Sequence, residues 1–120
     1  GATVDGITFS DEDILRYDNG NWTLYFDGSD VGIGSSDLNA FHVVDADTIL
    51  FSLSRSVTIN GTTFDDHDVV EFTASSLGDA TAGSLALYLD GEDVELTTSG
   101  EDIDALHLLA DGRLLISTLG

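Results

Sequence analysis

The sequence predicts an all-β chain made of two four-stranded repeats. Short apolar or alternating segments, interrupted by Gly, Asp, Asn and Ser, run along all 120 residues, the pattern of half-buried strands joined by turns. Proline is absent, and no stretch combines capped ends with apolar residues at helical spacing. A nonapeptide occurs almost twice, as YFDGSDVGI at 25–33 and YLDGEDVEL at 88–96, with Asp third and sixth in each.

Nine strands are expected. DILRY at 13–17 and WTLYF at 22–26 lie either side of the polar cluster Asp18-Asn19-Gly20. LNAFHVV and TILFSL place strands at 38–44 and 48–53 around Asp45-Ala46-Asp47, and VTI gives a short one at 57–59. DVVEFT at 68–73 and SLALYL at 84–89 flank a Ser-, Ala- and Gly-rich loop, and IDALHLL at 103–109 and RLLIST at 113–118 flank Asp111-Gly112. Asp27-Gly28 and Asp90-Gly91 carry the Asp-Gly signal of a hairpin turn.

The halves align. DLNAFHVVDADTILFSLS (37–54) falls without a gap on DIDALHLLADGRLLISTL (102–119), placing His42 on His107 and Ser52 on Ser117. VDGITFSDEDILRY (4–17) falls on INGTTFDDHDVVEF (59–72), placing Phe9 on Phe64, Asp11 on Asp66 and Asp13 on Asp68. In this register Arg55 meets Gly120 and Ser56 meets Gly1. The expectation is one domain, 1–120, of two repeats: 37–101 intact, and 102–120 plus 1–36 split between the termini. The segment 73–84 is longer than its counterpart near 18–21, which marks a surface loop.

Four strands in about 40–50 residues are the signature of a propeller blade, and this unit is somewhat longer. DIDALHLLADGRLLIST resembles the inner hairpin of propeller repeats in NHL-type and related secreted bacterial proteins. DEDILRYD, YFDGSDVGI and SDLNAFHVV together resemble an Asp-rich tandem repeat of secreted bacterial proteins. The resemblance implies blade-like repeats and secretion, and no settled activity. The alternative fold is a two-repeat β-sandwich or barrel. Two blades cannot close a propeller, which takes typically about 4 to 8. The split repeat therefore predicts head-to-tail joining with copies of itself, into a ring of about two to four chains or a filament. The other readings are a two-repeat excerpt of a longer or artificial chain, or termini that meet within one molecule.

Composition narrows the function. Eighteen Asp and five Glu oppose three Arg and no Lys, for a net charge of −20. Nucleic acid is excluded as a partner, because phosphate binding needs a basic face. Glu would serve solubility equally well, whereas the preference for Asp suits turns and short-armed cation coordination. In an up-and-down unit the first and third strands begin at one end of the sheet. Asp37, Asn39, Asp66 and Asp68 of one repeat, and Asp102, Asp104, Asp11 and Asp13 of the other, are the expected metal ligands. Ca²⁺ fits them, since it takes about 6–8 oxygen ligands with tolerant geometry. No EF-hand spacing is present. Cysteine is absent, and no apolar run is long enough to insert into a membrane. Asn21-Trp22-Thr23 and Asn60-Gly61-Thr62 permit glycans at Asn21 and Asn60 on a secreted chain.

No catalytic constellation emerges. His42 and His107 lie in apolar strands, where satisfied core or interface imidazoles are the expected role. His67 stands between acids and reads either as a transition-metal ligand or as a solvated loop residue. Ser52 and Ser117 lie inside strands without a nucleophile elbow. Trp22, Tyr17, Tyr25 and Tyr88 read as packing residues before they read as a sugar platform. The expected protein is a non-enzymatic extracellular or cell-surface module, structural or adhesive and calcium-stabilised. The alternative is a propeller-type metal-dependent hydrolase or a carbohydrate-binding lectin.

Overall fold

The structure, a computed structural model, describes residues 1–119. Twelve strands follow one another: β1 (Ala2–Val4), β2 (Ile7–Phe9), β3 (Ile14–Asp18), β4 (Asn21–Phe26), β5 (Leu38–Val43), β6 (Thr48–Leu53), β7 (Val57–Ile59), β8 (Thr62–Phe64), β9 (Val69–Ser76), β10 (Ala82–Leu89), β11 (Ile103–Leu108) and β12 (Leu114–Thr118). Short 3-10 turns occupy Ser29–Val31, Gly91–Val94 and Ser99–Glu101. There is no α-helix among the described residues.

The chain is all-β, as expected, with three strands that the apolar pattern does not announce. β1, β2 and β8 have three residues each, too few for alternation to stand out. What makes them is the turn between them. Asp5-Gly6 and Asn60-Gly61 both take positive φ at both positions, the geometry of a tight turn whose twist matches a hairpin. β1–β2 and β7–β8 are thus equivalent hairpins, paired Val4↔Ile7 and Ile59↔Thr62 at the turn. The Asp-Gly pairs at 27–28 and 90–91, by contrast, do not make hairpins. They lead into the first two 3-10 turns, and the φ of Gly28 is −67°.

β5, β6, β9 and β10 form one antiparallel sheet in the order β10-β9-β6-β5. This is the four-stranded unit read at 37–101. The strands of the split repeat do not form a second four-stranded sheet within the chain. Its β11–β12 and β3–β4 remain separate hairpins, and among the described residues no sheet closes on itself, so the barrel alternative falls. β12 does not pair with β1 or β3.

The cores explain the separation. Successive side chains of a strand point to opposite faces. Ile49, Phe51 and Leu53 of β6, with Val70 and Phe72 of β9, pack on Ile14 and Phe26 of the β3–β4 hairpin and on Ile33. Leu50 and Val69, one residue out of step, pack on Ile103 and Leu106 of β11. The intact sheet is therefore covered on both faces, by the two halves of the other repeat. Phe26 sits edge-on to Phe72 with centroids 5.1 Å apart, a favoured aromatic geometry. The β3–β4 hairpin thus packs on one face of the sheet and the β11–β12 hairpin on the other, and β3 and β12 do not pair.

Candidate functional site

The acids cluster where the loop before β3 or β9 meets the turn after β4 or β10. Asp68, buried, uses both carboxylate oxygens as clamps: Oδ2 accepts from the Asp65 N–H at 2.8 Å and Oδ1 from the Gly91 N–H at 2.8 Å. Asp13 repeats this with the N–H groups of Ser10 (2.8 Å) and Gly28 (3.0 Å). Hydrogen bonds to a carboxylate are the stronger kind. The two glycines are needed for closeness. A Cβ on Gly91 would lie 2.2 Å from the His67 carbonyl, and one on Gly28 2.4 Å from that of Glu12.

The remaining expected ligands divide differently from the sequence reading. Leu38 N–H donates to the Asp11 carbonyl (3.0 Å), and Ile103 N–H to that of Asp66 (3.3 Å). Asp37 thus stands beside Asp11, and Asp102 beside Asp66. The acids meet across the boundary between repeats, not within one. The reason is spacing: β6 separates β5 from β9 in the intact sheet, and two strand intervals amount to about 9–10 Å. Asn39 and Asp104 occupy matched irregularities of register in β5 and β11, and Asp104 accepts from Ser117 Oγ at 2.6 Å. Burial, then the charge of Asp66 and a hydrogen bond with it, hold the Asp102 carboxyl above the usual range.

One further group gathers at the same edge. Asp65, His67 and Glu92 bring a carboxylate oxygen, an imidazole nitrogen and a second carboxylate oxygen within 4.8 Å of one another. His67 Nδ1 lies 3.2 Å from Asp66 Oδ1, and Nε2 lies 3.8 Å from Asp65 Oδ2. His67 is the residue set between acids in the sequence. Glu92 lies 25 positions further on and gave no local signal. The available signal was the difference between copies, since the matched positions carry Ser10, Glu12 and Ser29. Glu12 is buried in its own copy, and burial first, then the charges of Asp13 and Asp11, raise its carboxyl above the ordinary value.

Other candidate residues have structural partners. His42 and His107 meet edge to face, ring centroids 4.7 Å apart, at the contact of β5 with β11; burial and then the charge of His107 lower the His42 pKa. Ser52, fully buried, donates to the Ile103 carbonyl at 2.8 Å. Asp27 accepts from Ser29 Oγ (2.6 Å), and Asp30 from the N–H of Thr81 in the long loop (2.9 Å). Tyr17 and Trp22 pack on each other at 4.9 Å. Asn21 and Asn60 are exposed. No helix is long and apolar enough to cross a membrane among the described residues.

Searches of protein-family models, of curated proteins and of solved structures find no match to this chain.

Proposed function

We propose that the protein is a non-enzymatic structural module that joins copies of itself head to tail, β12 of one molecule pairing with β3 of the next to complete a blade-like unit. The observation that supports this is a contrast between matched residues. Leu50, Phe51 and Phe72, at the β6–β9 pairing of the intact sheet, are fully buried, whereas their counterparts Leu115, Ile116 and Tyr17 are 55%, 37% and 61% exposed. Transferring the β6–β9 register to the open edges sets Arg113 opposite Asp18 and Ile116 opposite Leu15. Two of the three arginines, Arg16 and Arg113, stand on these edges, where an unpaired strand otherwise invites indiscriminate pairing.

The same joint supplies further bonds. Ser52 reaches the first strand of the following unit; by equivalence Ser117 leaves Asp104 and donates to the Leu38 carbonyl of the next molecule. Secretion and use at a cell surface belong to this reading through the Asp-rich composition. A bound cation such as Ca²⁺ on the boundary acids Asp11, Asp37, Asp66 and Asp102 would relieve their repulsion. The mass of the particle by light scattering tests it, over a range of concentration, with calcium and with chelator. A multiple of the chain mass is expected; a monomer under every condition removes the proposal. Electron microscopy of the particle separates a ring from a filament.

A further inference from the structure

We propose that Asp65, His67 and Glu92 bind one divalent transition cation of the zinc class. All three belong to one chain, so the site stands or falls independently of assembly. The leading observation is the imidazole. His67 is only 9% exposed, and its Nε2 is buried without a hydrogen-bond partner among the described residues. A buried polar nitrogen in that condition calls for an explanation. Nε2 faces Asp65 Oδ2, and Nδ1 faces Asp66 Oδ1 at 3.2 Å. With the Asp66 carboxylate 3.2 Å from Nδ1, the tautomer protonated at Nδ1 would present the Nε2 lone pair on the side of Asp65. A carboxylate behind the histidine is the arrangement that orients imidazole ligands for a metal.

The carboxylates are positioned from behind as well. Asp65 Oδ1 accepts from Ser56 Oγ at 2.5 Å, leaving Oδ2 on the histidine side. Glu92 is the second residue of the second 3-10 turn, where its N–H is capped by Asp90 at 3.1 Å. Its side chain is exposed and free to swing inward. A tetrahedral zinc site with bonds of about 2.0–2.1 Å sets its ligands roughly 3.3–3.4 Å apart. The ligand atoms lie within 4.8 Å of each other, so each pair has to close by roughly 1.4 Å at most to reach that spacing. A nitrogen ligand in a small N/O set favours zinc-class ions over Ca²⁺, which prefers an all-oxygen shell of higher number.

The matched turn in the other repeat provides a control. It carries Ser10, Glu12 and Ser29, and the fold accepts them. The competing explanation is an imidazolium paired with Asp65 and Asp66 and no metal. The test uses the full chain, stripped with chelator, in a large excess of Ca²⁺ to occupy the diffuse acidic surface. Zn²⁺ is titrated in competition with a chromophoric chelator, and the His67 ring nitrogens are followed by ¹⁵N NMR. The expected result is one ion per chain with Kd about micromolar or tighter, with the Nε2 signal moving on addition. Asp65→Ser with Glu92→Ser, which installs the residues of the matched turn, lowers affinity by at least about tenfold. Asp66→Asn, which leaves every ligand in place, lowers it by about 10–100-fold. Equal affinity in wild type and the double variant assigns Zn²⁺ to the general surface and overturns the proposal. So does a doubly protonated ring that Zn²⁺ leaves unchanged.

Discussion

Glu12 and His67 occupy one slot in two copies, and the chemistry of each follows from what faces it. Glu12 is a buried carboxylate, and its folded pKa lies above the unfolded value. An acid shifted upward favours folding while protonated; that contribution is present below the unfolded pKa and is lost as pH rises through the folded one. At neutral pH the ionised Glu12 therefore weighs against the fold. Glu12→Gln is expected to raise the urea midpoint at pH 7, with the gain shrinking as pH falls through the raised folded pKa and gone below about 4; an unchanged midpoint at pH 7 would contradict this. The clamping role of Asp13 and Asp68 was half legible in the sequence. Their recurrence stood out, but a recurring Asp before a strand looks the same whether it holds a cation or two backbone N–H groups. Only the approach of Gly28 and Gly91, from loops 15 and 23 residues away, reveals the second arrangement.

At the scale of the strand, six residues of TILFSL carry the molecule's packing because both faces of β6 are buried. That run was readable as a strand, and its bounds, Thr48–Leu53, agree with the expectation. The short strands were not readable from periodicity, since three residues span barely one alternation. The Asp-Gly signal misled for a physical reason as well. Glycine serves either a left-handed turn or a close approach of two backbones, and the dipeptide does not say which. Matched leucines provide a measurement. Leu50→Ala in the intact sheet should cost about 2–5 kcal/mol of unfolding free energy in any state of association. Leu115→Ala should cost well under 1 kcal/mol in dilute monomer and acquire a comparable cost only on assembly. Denaturant titration at low and high protein concentration compares the two, and equal cost in the dilute monomer would show that Leu115 is already packed within its own chain.

For the whole molecule, a net charge of −20 opposes any association of like copies, and only the edge arginines offset it locally. Screening falls to a Debye length of about 8 Å at physiological ionic strength, so added salt should favour assembly. Arg113→Glu places a like charge opposite Asp18. Its side chain is 76% exposed in the isolated chain, so the substitution should leave monomer stability within about 0.5 kcal/mol and abolish the larger particle. Sedimentation of the variant beside wild type checks this; an unaltered particle would mean that the β12 edge is not the joint. The β11–β12 hairpin bears on the timing of this encounter. Leu119 N–H closes it on the Asp102 carbonyl at 3.1 Å, as Ser54 N–H closes β5–β6 on that of Asp37 at 2.9 Å. The mating hairpin already has the form of its finished counterpart. Docking then requires no prior refolding, and the rate of joining should scale with the square of monomer concentration and quicken with ionic strength, without a lag.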